Sequence, residues 1–191
     1  MLYTGKGDKG DTGLFGSKDR ISKGSFISEA LGTLDELNSF VGLCKVKAEQ
    51  VSVEGVSVKG ARVQHYSIEA VLDEVQQNLF IIQAELAGAE KKIGKSKVEK
   101  MEKIIHAIER EIPPLTSFTV AGGTELAALV DVARTLARRA ERRVVGVQDM
   151  EDRRISAQTL AYLNRLSSLL FALARLINLR SGITEESPDY R

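Results

Sequence analysis

An all-α fold, an up-and-down bundle of five helices behind an irregular glycine-rich N-terminal segment, is what this sequence predicts. Three observations predict it. Apolar residues recur at three- and four-residue spacing through five separate stretches, the mark of helices with one buried face. The joins between those stretches are short, which makes successive helices antiparallel neighbours. The first 25 residues instead carry Gly5, Gly7, Gly10, Gly13, Gly16 and Gly24 among Asp, Lys, Ser and Thr, with no apolar period of either kind.

The 191 residues suit one domain, divided into the segment 1–25, the bundle 26–182 and a tail 183–191. From about Ser28, the spacing of Leu31, Leu34, Leu37, Val41 and Cys44 predicts the first helix. Residues 51–64 break it with Gly55, Gly60 and alternating valines, readable as a short hairpin or a loop. Val71, Leu72, Val75, Leu79, Ile82 and Leu86 predict a second helix over about 66–91. Val98, Met101, Ile104, Ile105 and Ile108 predict a third over about 96–111, stopped by Pro113-Pro114. Gly122-Gly123-Thr124 opens a fourth over about 124–147, with Thr124 as N-cap. Leu163, Leu166, Leu170, Leu173 and Ile177 form the seam of a fifth over about 153–180, ended by Gly182. Ser187-Pro188-Asp189 reads as a frayed end.

Apolar residues make up 43% and charged residues 28%, enough for a core under an ordinary surface. Lys and Arg number 27 against 26 Asp and Glu, so the basic excess of a general nucleic-acid binder is absent. No apolar run approaches the ~20 residues of a membrane span. Met1 to Lys6 lack the apolar core of a signal peptide. The lone Cys44 allows no intrachain disulfide. Together these predict a cytoplasmic protein with neither nucleic acid nor membrane as partner.

The fourth helix holds the most informative stretch, Arg134 to Arg143. Projected at about 100° per residue, Asp131, Arg134, Arg138, Glu141 and Arg142 share one arc, beside an apolar arc of Leu126, Leu129, Val130, Ala133, Leu136, Ala137, Ala140 and Val144. Arg139 and Arg143 point elsewhere. Three arginines at i, i+4 and i+8 repel one another in an isolated helix. Phosphate oxygens would offset them, since guanidinium forks bind such oxygens bidentately. Carboxylates such as Asp131 and Glu141 are the alternative.

Gly5 to Gly10 match GxGxxG, but no strand precedes them, so this is not a dinucleotide fingerprint. No GxxxxGK(S/T) loop occurs either. Glycines still let successive backbone N–H groups converge on an anion. Thr4 and Thr12 add hydroxyls, Lys6, Lys9 and Lys23 add charge, and Asp8 or Asp11 suits a Mg²⁺ held through water. The alternative is a polar tail without a ligand.

Four motifs together resemble one family. They are Tyr3-Thr4-Gly5-Lys6-Gly7-Asp8-Lys9-Gly10 with Arg20-Ile21-Ser22-Lys23; Gly32-Thr33-Leu34-Asp35-Glu36-Leu37-Asn38-Ser39; Arg134-Thr135 with Arg138-Arg139-Ala140-Glu141-Arg142; and Tyr162-Leu163-Asn164-Arg165-Leu166-Ser167. They occur in order over nearly the whole chain and resemble the ATP:cob(I)alamin adenosyltransferases of the trimeric helical-bundle type. The resemblance implies transfer of the 5′-deoxyadenosyl group of ATP to the cobalt of a reduced corrinoid (cob(I)alamin), with release of triphosphate. It implies Mg²⁺ carried on the ATP phosphates, a corrinoid reductase as partner, and a homotrimer with active sites at subunit junctions. Thr4, Gly5, Lys6, Gly7, Thr12 and Lys23 would cradle ATP, and Arg138, Glu141, Arg142 and Asn164 would complete its site. Arg138, Arg134 and Asp35 would serve catalysis, the last two paired across the interface. Phe118 would face the corrin ring; as an apolar residue by itself it equally suits a plug capping the bundle. Three positions depart from the usual pattern: Ser168 replaces an Asp, Val120-Ala121 a Leu-Pro, and Val130-Asp131 stand where a His is common.

No nucleophile is legible. His65 and His106 form no dyad, which agrees with a reaction whose nucleophile is cobalt. Glu102 and His106 are four apart, unlike the Glu-x-x-His of di-iron bundles. Cys44 sits at core spacing and reads as a small buried apolar residue. Lys91, Lys92, Lys95, Lys97, Lys100 and Lys103 read as a solvated surface. The competing function is a non-catalytic ATP-binding bundle, a sensor or docking module.

Overall fold

The computed structural model describes residues 2–51, 53–60, 63–114, 116–151 and 153–191. Its five helices are α1 (Phe26–Glu49), α2 (Ile68–Leu86), α3 (Lys95–Glu109), α4 (Glu125–Met150) and α5 (Ala157–Arg180). Two antiparallel hairpins accompany them: β1 (Asp11–Gly13) with β2 (Arg20–Ser22), and β3 (Val56–Val58) with β4 (Gln64–Tyr66). The first hairpin lies within the segment that sequence reads as irregular, with Thr12 opposite Ile21 and Gly13 opposite Arg20. Strands of three residues are too short to show an alternation. The second belongs to the 51–64 run, of which Ser52, Ala61 and Arg62 lie outside the described residues; its Val56 and Val58 are buried, and β3 packs on α3.

Helix ends follow local chemistry more closely than periodicity. α1 starts at Phe26 because Ser25 caps it, its Oγ accepting from Ser28 N at 3.3 Å. α2 stops at Leu86, short of 91, because Gly88 takes a φ of 104° and turns the chain away. α5 starts at Ala157 because Ser156 is its N-cap. That cap is reinforced from α2. Glu85, 8% exposed, accepts from Ser156 N at 2.8 Å, Ser156 Oγ at 3.1 Å and Thr159 Oγ1 at 2.5 Å. A carboxylate there also opposes the positive end of the α5 dipole.

α4 lies between α1 and α5, while α2 packs on α1 and α3 on α5. Glu29–Arg143, Glu36–Arg139 and Lys47–Glu125 ion pairs run in antiparallel order along the α1–α4 seam. α2 reaches α5 where Asn78 Nδ2 donates to Tyr162 Oη at 3.0 Å. α5 is long and apolar enough to cross a membrane by composition, but Leu163, Leu166, Leu170 and Leu173 are wholly buried in the bundle core. Beyond Gly182 the chain folds back. Val120 N donates to Glu186 O at 2.8 Å, and the hydroxyls of Ser117 and Ser187 meet at 2.7 Å. The end read as frayed is therefore anchored at Ser187, through partners about 70 residues away that no local pattern reveals.

Cys44 is fully buried, and loss of solvation pushes its thiol up to about 12. The thiolate is the reactive form. Iodoacetamide at pH 8 will therefore leave native Cys44 unmodified and alkylate it in urea; rapid native labelling would contradict this burial. Glu85→Ala will lower the unfolding free energy in urea titrations by about 2–4 kcal/mol, since three hydrogen bonds to a charged acceptor are lost, and a loss below ~0.5 kcal/mol would remove the cap from the account.

Candidate functional site

The glycine-rich segment is ordered by its own charges. Arg20 reaches back across the hairpin, its Nη2 donating to Lys6 O at 2.9 Å, Asp11 O at 3.1 Å and Asp11 Oδ1 at 2.9 Å. The Arg20 hydrogen bond holds the Asp11 carboxyl below the usual carboxylate range. Lys23 Nζ donates to Gly7 O at 3.0 Å, and Lys23 N to Gly10 O at 2.9 Å. Gly5 and Gly10 take φ of 65° and 82°, which lets two successive turns fold between them. Thr4, Gly5, Lys6 and Lys23 are exposed; Gly7 and Thr12 are half-buried. Five of these six residues thus lie on one small exposed loop or at its foot, with Thr12 at the start of the hairpin.

A second group stands on α4 and α5. Asn164 Nδ2 donates to Glu141 Oε1 at 2.9 Å, so these two site residues do meet. Arg138 and Arg142 are exposed on the same side of α4, and among the described residues neither has a carboxylate partner. Their neighbours differ: Arg139 pairs with Glu36, Arg143 with Glu29, and Arg134 with Asp131 at 3.0 Å. The arginine stripe therefore divides into paired structural cations and two unneutralised ones. Asp35 is exposed on α1 and makes no ion pair among the described residues. Arg134 keeps its terminal nitrogens available beyond the Nε used on Asp131.

Phe118 is 79% exposed, so it does not plug the bundle. Its loop and the C-terminal tail flank a cavity of about 370 Å³ lined by Pro113, Thr119, Arg175, Ile183 and Glu185. Arg175, on α5 and buried, was not singled out by sequence, nor were Glu185 and Asn178. A signal existed: an arginine in the run Leu-Phe-Ala-Leu-Ala-Arg-Leu-Ile-Asn-Leu must find counter-charges in the core. Arg20 was likewise missed as the organiser of the hairpin.

Among the described residues no hydrogen bond or ion pair joins residues 2–25 to Arg138, Arg142 or Asn164. Nor does any group of three or more His, Cys, Asp and Glu side chains among them suit a metal ion.

Comparison with known proteins places the whole sequence and its fold. A family model described as Cobalamin adenosyltransferase matches residues 2–177. The corrinoid adenosyltransferase of Bacillus subtilis is 40% identical over 187 residues, covering 95% of this chain and 89% of the relative. The corrinoid adenosyltransferase PduO of Citrobacter freundii is 37% identical over 182 residues and 91% of this chain, which spans 49% of that longer relative. A variant of the PduO-type ATP:corrinoid adenosyltransferase from Lactobacillus reuteri, solved with cobalamin and ATP, superposes with a TM-score of 0.82 at 31% identity, covering 98% of this chain and 99% of that one. By sequence over its whole bundle and by fold, the chain belongs to the cobalamin adenosyltransferase family.

Proposed function

We propose that this protein is an ATP:corrinoid adenosyltransferase, moving the 5′-deoxyadenosyl group of ATP onto the cobalt of a reduced corrinoid such as cob(I)alamin and releasing triphosphate. The observation that carries the reading is the pair Arg138 and Arg142, left without carboxylates beside the Glu141–Asn164 hydrogen bond, in a chain of this family. Two unneutralised guanidinium groups one helical turn apart suit a polyphosphate.

In this reading reduced cobalt attacks the 5′ carbon of ATP, and the bond to the triphosphate oxygen breaks. The corrinoid brings the nucleophile and its electron pair, so the protein needs none. Its residues align the two substrates, a contribution worth ~7–11 kcal/mol of barrier. They also stabilise negative charge growing on the leaving triphosphate, the task of Arg138, Arg142, Lys6 and Lys23 with Mg²⁺. Thr4, Gly5, Gly7 and Thr12 supply backbone and hydroxyl donors, and Glu141 with Asn164 orients the nucleoside.

Two half-sites on one chain ask for a second copy. The segment 1–25 of one subunit would meet α4 of its neighbour in a homotrimer, with Asp35 of one subunit on the free nitrogens of Arg134 of the next. Phe118 would lie against the corrin ring, excluding water and the displaced axial base from the open face of cobalt. A corrinoid reductase would deliver the reduced substrate. A cytoplasmic setting suits the single buried thiol.

Protein mixed with Mg-ATP and chemically reduced corrinoid will shift the visible spectrum to that of an organocobalt species; a Mg-ATP thermal shift with no spectral change would favour a non-catalytic ATP binder. Arg138→Ala will lower kcat by about 100-fold or more, the cost of removing one charge-stabilising donor, while size-exclusion chromatography shows the assembly unchanged. Wild-type kinetics in that variant would take Arg138 out of the site. Asp35→Ala will weaken assembly or turnover by leaving Arg134 short of a partner, and normal behaviour in both measurements would refute the cross-subunit pair.

A further inference from the structure

Arg175 is 4% exposed toward the C-terminal end of the core helix α5, and every side of its guanidinium group is used. Nη2 donates to Asp131 Oδ2 at 2.7 Å, Nη1 to Thr119 Oγ1 at 3.1 Å and Nε to Glu185. Its charge also lies 4.8 Å from the centre of the Phe171 ring. The partners come from three separate elements: α4, the loop carrying Phe118, and the C-terminal tail. The other oxygen of Asp131 accepts from Arg134 at 3.0 Å, so two cations and two carboxylates form one balanced cluster.

Asn178, one turn further along α5, ties the same pieces. Its Nδ2 donates to Glu185 Oε1 at 2.7 Å and to Gly122 O at 2.9 Å, while its Oδ1 accepts from Thr124 N at 3.0 Å. A Cβ on Gly123 would lie 2.3 Å from that oxygen, so only glycine allows the approach. With the Ser117–Ser187 and Val120–Glu186 bonds, the loop is fastened on both sides of Phe118, whose ring is left exposed.

A buried ionic cluster is a poor stabiliser. Apolar residues of similar volume are often as stable or more so, whereas fixed charges impose one geometry. We propose that Arg175 is a positioning residue for adenosyl transfer: through Asp131 it sets Arg134, and through Thr119 and Glu185 it sets the Phe118 loop, holding the triphosphate side and the corrinoid side of the site in fixed relation. The proposal rests on the reading of Arg134 and Phe118 given above. Glu185 is the more accessible of its two carboxylates, a tail residue whose loss frees the loop.

Steady-state kinetics on the full-length chain tests it. Glu185→Ala will raise the corrinoid KM about tenfold, leaving the ATP KM and the Mg-ATP thermal shift within about twofold of wild type. Glu185→Gln, which keeps an acceptor for Arg175 and Asn178, will recover most of the loss. Thr119→Val, cutting the cluster from the loop side, will reproduce the selective effect. A wild-type corrinoid KM in both Glu185→Ala and Thr119→Val overturns the proposal, as does a parallel rise of both KM values with a fall in Tm, which marks a merely structural contact. Wild-type protein that forms no organocobalt product would instead refute the adenosyltransferase reading beneath it.

Discussion

Close approach of α4 to both α1 and α5 is the constraint on which the rest depends. Ala127, Ala133, Ala137 and Ala140 are each at zero exposure, so much of the inner side of α4, shared with Leu126, Val130, Val144 and Val147, is made of the smallest side chain that still favours a helix. Small residues bring backbones close and turn the opposite face of the helix outward without bulk at its base. That outer face carries the arginines. Larger residues at the inner positions would force the flanking helices apart and strain the core, at a typical cost of ~1–3 kcal/mol each. The functional face is thus set by what lies behind it. Its charges, repelling by a few tenths of a kcal/mol per i, i+4 pair, are tolerated because burial on the other side outweighs them.

Charge on this helix is sorted by neighbour more than by position on the helical wheel. Arg139 and Arg143 fall outside the stripe in projection, and each finds a glutamate on α1. Arg134 lies in the stripe yet is engaged by Asp131, which is itself buried against Arg175. Only Arg138 and Arg142 face solvent without a carboxylate among the described residues. A sequence can show that three arginines share a face. Which of them are already neutralised depends on acids contributed by α1 and α5, hence on tertiary packing. The departure at Val130-Asp131 acquires a physical meaning here, because Asp131 links an arginine of the stripe to a buried arginine of the core.

The helices were legible because a bundle buries one face of each, and burial writes a period of three and four into Leu, Val and Ile positions. Helix ends were legible only where caps were local. Thr124 could be seen because its hydroxyl serves Ala127 three residues on; Ser156 caps Thr159 N in the same local way at the start of α5, but the Glu85 carboxylate that reinforces it comes from 71 residues away and leaves no local sign. The same distinction governs the candidate site. Arg138, Glu141 and Asn164 lie in recognisable motifs, and Glu141 and Asn164 share a hydrogen bond that the motifs do not specify. Arg175 was signalled by its apolar surroundings and Arg20 by its motif, but the partners of both, and the roles of Asn178 and Glu185, depend on contacts made elsewhere in the fold. Three-residue strands likewise hold no alternation to read.

An outward phenylalanine poses the last energetic question. A fully exposed Phe forgoes roughly 1.5–3 kcal/mol of burial, and a free loop would collapse so that the ring found a wall of protein. Phe118 stays out because Ser117, Thr119, Val120 and Gly122 around it are each held by bonds to the tail or to α5. Those bonds are polar and directional, so they fix where the backbone runs without offering the ring an apolar place to lie. The stabilisation forgone in the free protein is then available when a large flat ligand covers the ring. On the proposed corrinoid-facing role the exposed ring is a preformed contact, and the Arg175 cluster holds the loop that carries it.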